Sequence, residues 1–300
     1  MHENILISVV MPTYNHACFL NAALQSVLEQ TYDSWEVIVV NNYSEDNTVE
    51  VVNEIDDPRI KLINFENHGV IAAGRNKGIS ISSGKYIAFL DSDDTWYPDK
   101  LKECIVLLEK GFDLVCHGEF WVKEGRSKRS VIYGPEKKAR YRSLLFNGNC
   151  ISTSATVVRK DTLDKVYNFC ESPDMVTAED YDLWLKLSRS GAKIAFIKKI
   201  LGEYRIHNAN HSKEVLTNMT AEKAVLEKHL AMLRPLSMYD KLLEYRRKSI
   251  VFYGAGRGLQ SNDEYNTALS YFLKSFKIYP FIGRLYVAVI ISLYYKIFSK

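Results

Sequence analysis

The chain has 300 residues, of which 47% are hydrophobic and 25% charged, and its formal net charge is +3. This length suits one large or two small domains, and the composition is that of a globular protein, which excludes a disordered chain. Five scattered cysteines without metal-ligand or redox spacing predict reduced thiols, and no apolar run is long enough to span a bilayer as a helix.

The charges are distributed unevenly along the chain. Residues 213–300 carry 14 Lys and Arg against 7 Asp and Glu, whereas residues 1–212 carry 25 against 29. A basic end on a near-neutral body indicates an anionic surface as its partner, and nothing in this pattern points to nucleic acid. The polar first residues predict no signal peptide, so we expect a cytoplasmic protein.

Predicted strands and helices alternate over the first hundred residues. Strands are predicted over residues 5–11, 36–40, 60–64 and 86–90, and helices over residues 19–30, 48–55, 70–80 and 99–110. In this interpretation Pro12 breaks the first strand, and Pro98 opens the last of these helices. The alternation predicts a parallel α/β sheet with right-handed crossovers, as in nucleotide-binding domains.

The pattern changes further along the chain. Strands are predicted over residues 114–122, 152–159 and 194–197, a helix over residues 178–187, and either a loop or a hairpin over residues 123–142. After residue 212 only helices are predicted, over residues 216–233, 236–254, 268–279 and 283–298. We therefore expect an α/β domain over residues 1–212 and a helical C-terminal region over residues 213–300.

A cluster of carboxylates follows the strand predicted over residues 86–90. Asp91, Asp93 and Asp94 lie within four positions at the carboxyl end of that strand, where open α/β sheets bind ligands. Three like charges so close together are unfavourable unless a positive group joins them, and Mg²⁺ or Mn²⁺ suits oxygen ligands best. The alternative is a solvated acidic turn that caps the following helix.

Six short motifs carry a family resemblance. They are residues 10–15 (VMPTYN), Asn41 with Asn42, residues 75–78 (RNKG), residues 91–94 (DSDD), Glu179 with Asp180, and residues 204–207 (YRIH). In this order they make residues 7–212 resemble the family 2 glycosyltransferases with the GT-A fold, among which bacterial O-antigen and capsule enzymes are most alike. The resemblance implies a Rossmann-like nucleotide-diphospho-sugar transferase domain with a C-terminal helical extension.

The resemblance also implies a divalent metal, Mn²⁺ or Mg²⁺. In the family the last Asp of the acidic motif is the usual metal ligand, which is Asp93 here. Asp91 resembles the residue that reaches the ribose or a metal-bound water. A metal held there can bind both phosphates of the donor and stabilise the leaving charge. His207 could complete the metal shell or bind the diphosphate, or it could be structural.

A general base is needed because the acceptor hydroxyl is a poor nucleophile. Asp180 matches the base of the family, and Glu179 beside it would raise one pKa of the pair. With the base opposite the leaving group, the reaction would invert the anomeric carbon. The alternative is that both carboxylates only favour the positive N-terminal end of a helix.

The resemblance further implies a set of residues that bind the nucleotide-sugar, namely Pro12, Thr13, Tyr14, Asn15, Asn41, Arg75, Asp91 and Ser92. Tyr14 would stack on or border the base, or belong to the core. Arg75 would contact the diphosphate or ribose, or lie on a helix surface. The family has Asp-Asp where this chain has Asn41 and Asn42. Because Asn can accept a hydrogen bond from N3 of uracil, UDP-sugar remains the expected donor.

The expected acceptor is a glycan or a polyprenyl-diphosphate-linked saccharide, as the family implies. Two other functions stay open: a nucleotide-sugar or carbohydrate-binding protein without turnover, and a scaffold that presents the C-terminal helices as an interaction module. Residues 281–300 combine a short apolar run with flanking Tyr and Lys or Arg, as in a helix lying in a membrane interface. We therefore consider peripheral contact through residues 265–300 with the inner face of the plasma membrane, against packing that closes a helical domain.

Overall fold

The computed structural model describes residues 5–123, 128–207 and 214–298. The chain divides into two compact units. One comprises the chain up to Tyr141 with Asn149–Pro173 and Glu179–His207, and the other comprises Arg142–Gly148, Asp174–Ala178 and the chain from Asn208 onward. The predicted boundary between residues 212 and 213 lies outside the described residues, so the division at that point stays a prediction.

The first unit is built on one sheet of nine strands. The strands are β1 (Ile7–Thr13), β2 (Trp35–Asn41), β3 (Ile60–Asn64), β4 (Tyr86–Phe89), β5 (Thr95–Trp96), β6 (Leu114–Lys123), β7 (Arg129–Val131), β8 (Thr156–Arg159) and β9 (Ile194–Ile206). The α-helices up to residue 189 are α1 (Ala17–Leu28), α2 (Thr48–Asn53), α3 (Ile71–Ile81), α4 (Lys100–Leu108), α5 (Tyr141–Asn147), α6 (Lys160–Lys165) and α7 (Glu179–Arg189). Apart from Tyr141, α5 belongs to the second unit.

The strand order is β3-β2-β1-β4-β8-β6-β9-β5, with β7 paired to β6. The first four strands are mutually parallel, which confirms the parallel sheet predicted for the first half of the chain. β8 is antiparallel to both β4 and β6, so the second half of the sheet is mixed. β1, β2 and β4 are buried along their whole length, as continuous apolar strands covered on both faces should be.

The sequence prediction for Pro12 was wrong: Pro12 and Thr13 continue β1 rather than break it. Pro12 pairs with Val40 in the ladder with β2. The ladder between β1 and β4 ends at Val10, whose backbone oxygen accepts from Leu90. Because alternate residues point to the same neighbouring strand, the N–H that proline lacks would face the β4 side, where no ladder bond is needed.

Three other predicted elements differ from the structure. The two-residue strand β5 lies between the acidic loop and α4, so β4 does not lead directly into a helix, and α4 begins at Lys100. β8 is shorter than predicted, and β9 extends to Ile206 because it pairs with β6 along most of its length. The described part of residues 123–142 contains β7 antiparallel to β6, which favours the hairpin alternative.

Gly78 lets α3 lie close against β1. A Cβ at this position would meet a methyl group of Val10 at 2.4 Å, whereas one at Gly74 would have its nearest neighbour at 3.5 Å. We expect Gly78→Ala to destabilise the protein by about 1–3 kcal/mol through overpacking. Gly74→Ala on the same helix should be neutral or stabilise slightly, because alanine favours the helix. Urea unfolding of both variants tests this, and equal stability would contradict the close approach.

The second unit contains α8 (Val215–Ala231), α9 (Met238–Ser261), α10 (Tyr265–Ile278) and α11 (Gly283–Phe298). These helices confirm the predicted helical C-terminal region, and α11 has the predicted bounds. Their apolar cluster includes Leu259, Phe272 and Leu285. Val287 on α11 stays exposed, so packing accounts for only part of that helix. No described helix has both the length and the apolar character needed to cross a bilayer.

Candidate active site

The acidic loop after β4 places its three carboxylates against three different partners. Asp91 accepts from Arg75 at 2.7 Å, and Asp93 lies 2.9 Å from Nε2 of His207. Asp94 accepts from the hydroxyl of Ser154 at 2.6 Å and from the backbone N–H of residue 205 at 2.9 Å. Asp93 and Asp94 are almost fully buried, so the alternative of a solvated acidic turn is wrong.

Asp94 stabilises the backbone of the acidic loop. Burial raises the pKa of its carboxyl well above the usual range, and the nearby charges of Asp93, Glu119 and Asp91 add to that rise. The hydroxyl of Ser154 that donates to Asp94 also accepts from the backbone N–H of Asp91 at 3.1 Å. Asp94 and Ser154 together fix the backbone from which Asp91 and Asp93 project.

Arg75 bridges the acidic loop and the start of α7. Its guanidinium donates to Asp91 at 2.7 Å and to Glu179 at 2.6 Å, and its side chain is 4% exposed. The alternative of an Arg on a helix surface is therefore wrong. Burial opposes the charged form, yet Asp91 and Glu179 together raise the pKa of Arg75 above its usual value. This guanidinium supplies the positive charge that the carboxylates require.

Asp180 is the first-turn neighbour of Glu179 on α7. Burial raises the pKa of its carboxyl to about 7, the charge of Glu179 adds to the rise, and the charge of Arg75 opposes it. The hydroxyl of Thr153 donates to Asp180 at 3.2 Å. A carboxyl with a pKa near neutrality is poised to take up a proton during a reaction. Thr153 and Ser154 are adjacent, so one short segment contacts both Asp180 and the acidic loop.

The predicted metal ligands Asp91, Asp93 and His207 are not preassembled as a three-ligand set. Within the described ranges, no group of three or more His, Cys, Asp or Glu side chains is arranged to hold a metal ion. Asp93 and His207 do adjoin, and their carboxylate and imidazole donors suit Mn²⁺. Divalent ions at phosphate sites commonly use one or two protein carboxylates and complete their shell with substrate. The residues present therefore fit such an ion.

Two residues missed by sequence reasoning pack beside this pair. His16 contacts the hydroxyl of Ser92 through Nδ1 at 2.9 Å, and the ring of Phe19 stacks on His207 at 4.3 Å. His16 directly follows the motif at residues 10–15, and Phe19 lies in the first turn of α1. Because both lie just after the carboxyl end of β1, where open α/β sheets bind ligands, their position could have identified them as site residues.

An open cavity of about 340 Å³ lies at the same carboxyl edge of the sheet, within the usual size range of ligand sites. It is lined by Tyr14, Asn42, Tyr43, Glu66 and His68. Tyr14 is 50% exposed, so the alternative that it belongs to the core is wrong. The remaining lining residues, apart from Asn42, were not predicted, although they lie on the loops that follow β2 and β3.

Asn41 is buried beside this cavity. Its side-chain oxygen accepts from the N–H and the hydroxyl of Ser44 at 3.1 and 2.6 Å, and its nitrogen donates to Asn64 at 2.8 Å. Both polar atoms are thus already hydrogen-bonded, and the predicted contact with the base edge stays a prediction. Asn42 accepts from the backbone N–H of Asn67 at 2.8 Å.

The other predicted nucleotide-binding residues follow β1. Pro12 and Thr13 are buried at its end, and the hydroxyl of Thr13 has no hydrogen-bond partner within the described part of the chain. Asn15 has a positive φ of 52° and accepts from the backbone N–H of Glu45 at 2.8 Å. Asn15 therefore shapes the loop that presents Tyr14.

Comparison with known proteins gives a consistent result. The model of the family described as "Glycosyl transferase family 2" matches residues 8–167. A relative from Escherichia coli, the UDP-Glc:alpha-D-GlcNAc-diphosphoundecaprenol beta-1,3-glucosyltransferase WfgD, is 33% identical over 247 residues, which cover 81% of this chain and 93% of the relative.

Similar solved structures include two that align with most of the chain. The structure of Staphylococcus aureus TarS 1-349 in complex with UDP-GlcNAc has a TM-score of 0.66 at 18% identity, covering 95% of this chain and 84% of that one. The mannosyltransferase PcManGT from Pyrobaculum calidifontis, in complex with GDP-Man and Mn²⁺, has a TM-score of 0.60 at 16% identity, covering 98% and 87%. At these identities the likeness shows the fold alone.

Proposed function

Because the chain belongs to glycosyl transferase family 2 and has the GT-A fold with additional C-terminal helices, we propose that it transfers a sugar from a nucleotide-diphospho-sugar to an acceptor hydroxyl in bacterial surface polysaccharide synthesis. The observation that carries the proposal is the linkage of Asp180 to the acidic loop through Glu179 and Arg75. It joins a carboxyl with a pKa near 7 to the residues suited to a diphosphate and its metal.

The proposed donor is a UDP-sugar. The cavity beside Tyr14 has a size and an exposed aromatic wall suited to a nucleoside, and Pro12, Thr13, Asn15, Asn41 and Ser92 surround the same edge of the sheet. One relative supports uridine, because WfgD is named for UDP-Glc. Asn42 lines the cavity directly and is the second candidate for contact with the base.

Asp93 and His207 would hold a divalent cation, with Asp91 adjoining. When bound, such a cation supplies positive charge that stabilises the leaving diphosphate. Asp93 brings a carboxylate oxygen, and the packing of Phe19 against the ring orients His207. Because a neutral imidazole suits Mn²⁺ better than Mg²⁺, the predicted choice between the two ions favours Mn²⁺.

Asp180 is the proposed general base. It would take the proton from the acceptor hydroxyl as the hydroxyl attacks the anomeric carbon, which inverts the configuration there if the leaving diphosphate lies on the opposite face. Arg75 keeps the charge of Glu179 partly neutralised and so limits the rise in the pKa of Asp180. Glu179 acts through this contact rather than on the substrate.

The proposed acceptor is a saccharide linked to polyprenyl diphosphate. WfgD, which spans most of this chain, is named for an acceptor on diphosphoundecaprenol. An acceptor of this kind remains in a bilayer, so the enzyme would work as a peripheral protein on the cytoplasmic face of the membrane. The composition of residues 265–300, which include four described cations and no acid, suits contact with such a membrane.

The test is release of nucleotide from a panel of UDP-, GDP- and dTDP-sugars, with Mn²⁺ or Mg²⁺, with and without polyprenyl-diphosphate-linked GlcNAc. We expect release of UDP that is slow without acceptor and faster with it. Tight binding of a UDP-sugar without release under any of these conditions would instead support the alternative of a binding protein without turnover.

Arg75 gives a prediction that separates positioning from direct binding. Arg75→Gln should lower kcat by about 10- to 100-fold, because Glu179 and Asp91 lose the contact that positions them. The acid limb of the pH profile should move to higher pH, because the lost positive charge held down the pKa of Asp180. Arg75→Lys should recover part of both effects.

The matched control for this prediction is Arg59→Gln. Arg59 lies away from the site and forms an ion pair with Asp57 at 2.7 Å. The control variant should leave both the rate and the pH profile unchanged. A rise in the donor KM for Arg75→Gln without a shift in the pH profile would contradict positioning. That outcome would support the contact with the diphosphate that the sequence predicted.

A further inference from the structure

Helix α11 packs on the helical unit along one side. Leu285 and Ala288 are buried in the cluster that contains Phe272. The side chain of Gln260 donates to the backbone oxygen of Ala288 at 3.0 Å and to the hydroxyl of Ser292 at 2.8 Å. These contacts hold the helix in place, and nothing in the described part of the chain covers its opposite side.

The opposite side is an apolar surface that we call the outer face of α11, defined by Tyr286, Val287, Ile290, Leu293, Tyr294 and Ile297. Each of these side chains is between 44% and 66% exposed. At 3.6 residues per turn they occupy an arc of about 120°. None of them is charged, whereas a surface helix normally presents its polar face to water.

The outer face continues onto α10 and has a basic rim. The ring of Phe276, which is also exposed, contacts that of Tyr286 at 6.1 Å in an edge-to-face arrangement. The rim consists of Lys274, Lys277, Arg284 and Lys296, all exposed, and residues 265–298 contain no Asp or Glu. An exposed apolar surface with basic residues beside it indicates a binding partner.

We propose that the outer face of α11 binds the interfacial region of a bilayer that contains anionic lipid, with the helix lying in the membrane plane. The 16 residues of the helix span about 24 Å, less than the hydrocarbon thickness of about 30 Å, so it suits the interface rather than a span. Tyr286 and Tyr294 carry the amphipathic rings that favour this depth. The rim provides attraction to anionic headgroups.

A second copy of the chain fits the outer face less well. A symmetric dimer through α11 would place the same surface of both chains together. The basic residues Lys274, Lys277, Arg284 and Lys296 of both chains would then be brought together, and neither α10 nor α11 contains an acidic residue to compensate their charge. Anionic lipid offers both the apolar depth and the opposite charge.

The inference rests on the proposed function in one respect, because a lipid-linked acceptor would explain why the enzyme binds a membrane. Its test does not depend on transfer. The full chain is floated with vesicles of phosphatidylcholine alone or with phosphatidylglycerol, at low and high salt. We expect binding to the anionic vesicles that is at least tenfold stronger than to neutral ones and that weakens with salt.

The decisive variant is Ile290→Gln combined with Ile297→Gln, which changes only exposed positions. It should lose at least tenfold in vesicle binding while its melting temperature and its metal-dependent release of UDP from donor stay those of the wild type. The matched control, Ile81→Gln with Val106→Gln, alters two exposed apolar residues on α3 and α4 and should bind vesicles normally.

Two results would overturn the inference. Equal vesicle binding by the outer-face variant and the wild type would show that another surface is responsible. Concentration-dependent dimers of the wild type that Ile290→Gln with Ile297→Gln abolishes would assign the face to a second copy. If the wild type binds vesicles but releases no UDP from the donor, the result would count against the proposed function and not against this inference.

Discussion

Replacing Asp180 with Asn is expected to lower turnover by about two to four orders of magnitude, the usual contribution of a general base. Asn keeps the shape of the side chain and can still accept from Thr153, but it cannot take up a proton. Donor affinity should barely change, because the base acts on the acceptor. The measurement is kcat with saturating donor and acceptor, beside the dissociation constant of the donor.

The pH profile of the wild type follows from the same carboxyl. Its pKa is raised to about 7 by burial and by Glu179, and only the deprotonated form can act as base. We therefore expect kcat to rise as pH increases through about 7 and to level off above it. Asp180→Asn should remove this acid limb from its residual rate.

Stability gives the control for Asp180→Asn. A carboxyl whose pKa is higher in the folded than in the unfolded protein contributes stability that is present at low pH and lost as pH rises through about 7. Removing that charge should therefore not lower the melting temperature at pH 8.

Asp161→Asn, which changes an exposed Asp in the first turn of α6, should leave the rate unchanged. If donor affinity falls together with the rate, Asp180 is a binding or structural residue.

The sequence locates the site because strand ends are local features. Asp91 and Asp93 follow one buried strand, and Asn41 ends another. Because the carboxyl ends of parallel strands lie at the same edge of a sheet, these residues must lie at that edge. The same reasoning puts Tyr14 and Asn15 there. None of this needs knowledge of distant contacts.

The partners of those residues were not predictable in the same way. Arg75 and Glu179 are 104 positions apart, and no periodicity in the sequence connects a guanidinium on α3 with a carboxylate on α7. Three clustered carboxylates therefore predicted a cation, whereas the fold provides Arg75, His207 and Ser154 as separate partners. The length of β9 escaped prediction for a related reason, since its pairing with β6 extends a strand whose own residues include several charges.

Replacing Asp93 with Ala is expected to reduce transfer by about three orders of magnitude or more, because the reaction then lacks the carboxylate proposed to hold the cation at the diphosphate. EDTA should reduce the wild-type rate to the same extent, and Mn²⁺ should restore it. The Ala variant should recover nothing when Mn²⁺ is added. The measurement is initial rate with and without chelator, beside a thermal melt.

Variants of other carboxylates distinguish a catalytic role of Asp93 from a role in stabilising the fold. Asp94→Ala should lower the melting temperature, because Ser154 and the N–H of residue 205 lose a buried acceptor. Asp93→Ala should retain a cooperative melt, since its carboxylate faces His207 at the edge of the sheet. Asp56→Ala, which removes an exposed carboxylate between α2 and β3, should be active and stable. A wild-type rate unaffected by chelator, with a cooperative melt retained, would remove the cation from the mechanism and leave Arg75 as the nearest source of positive charge.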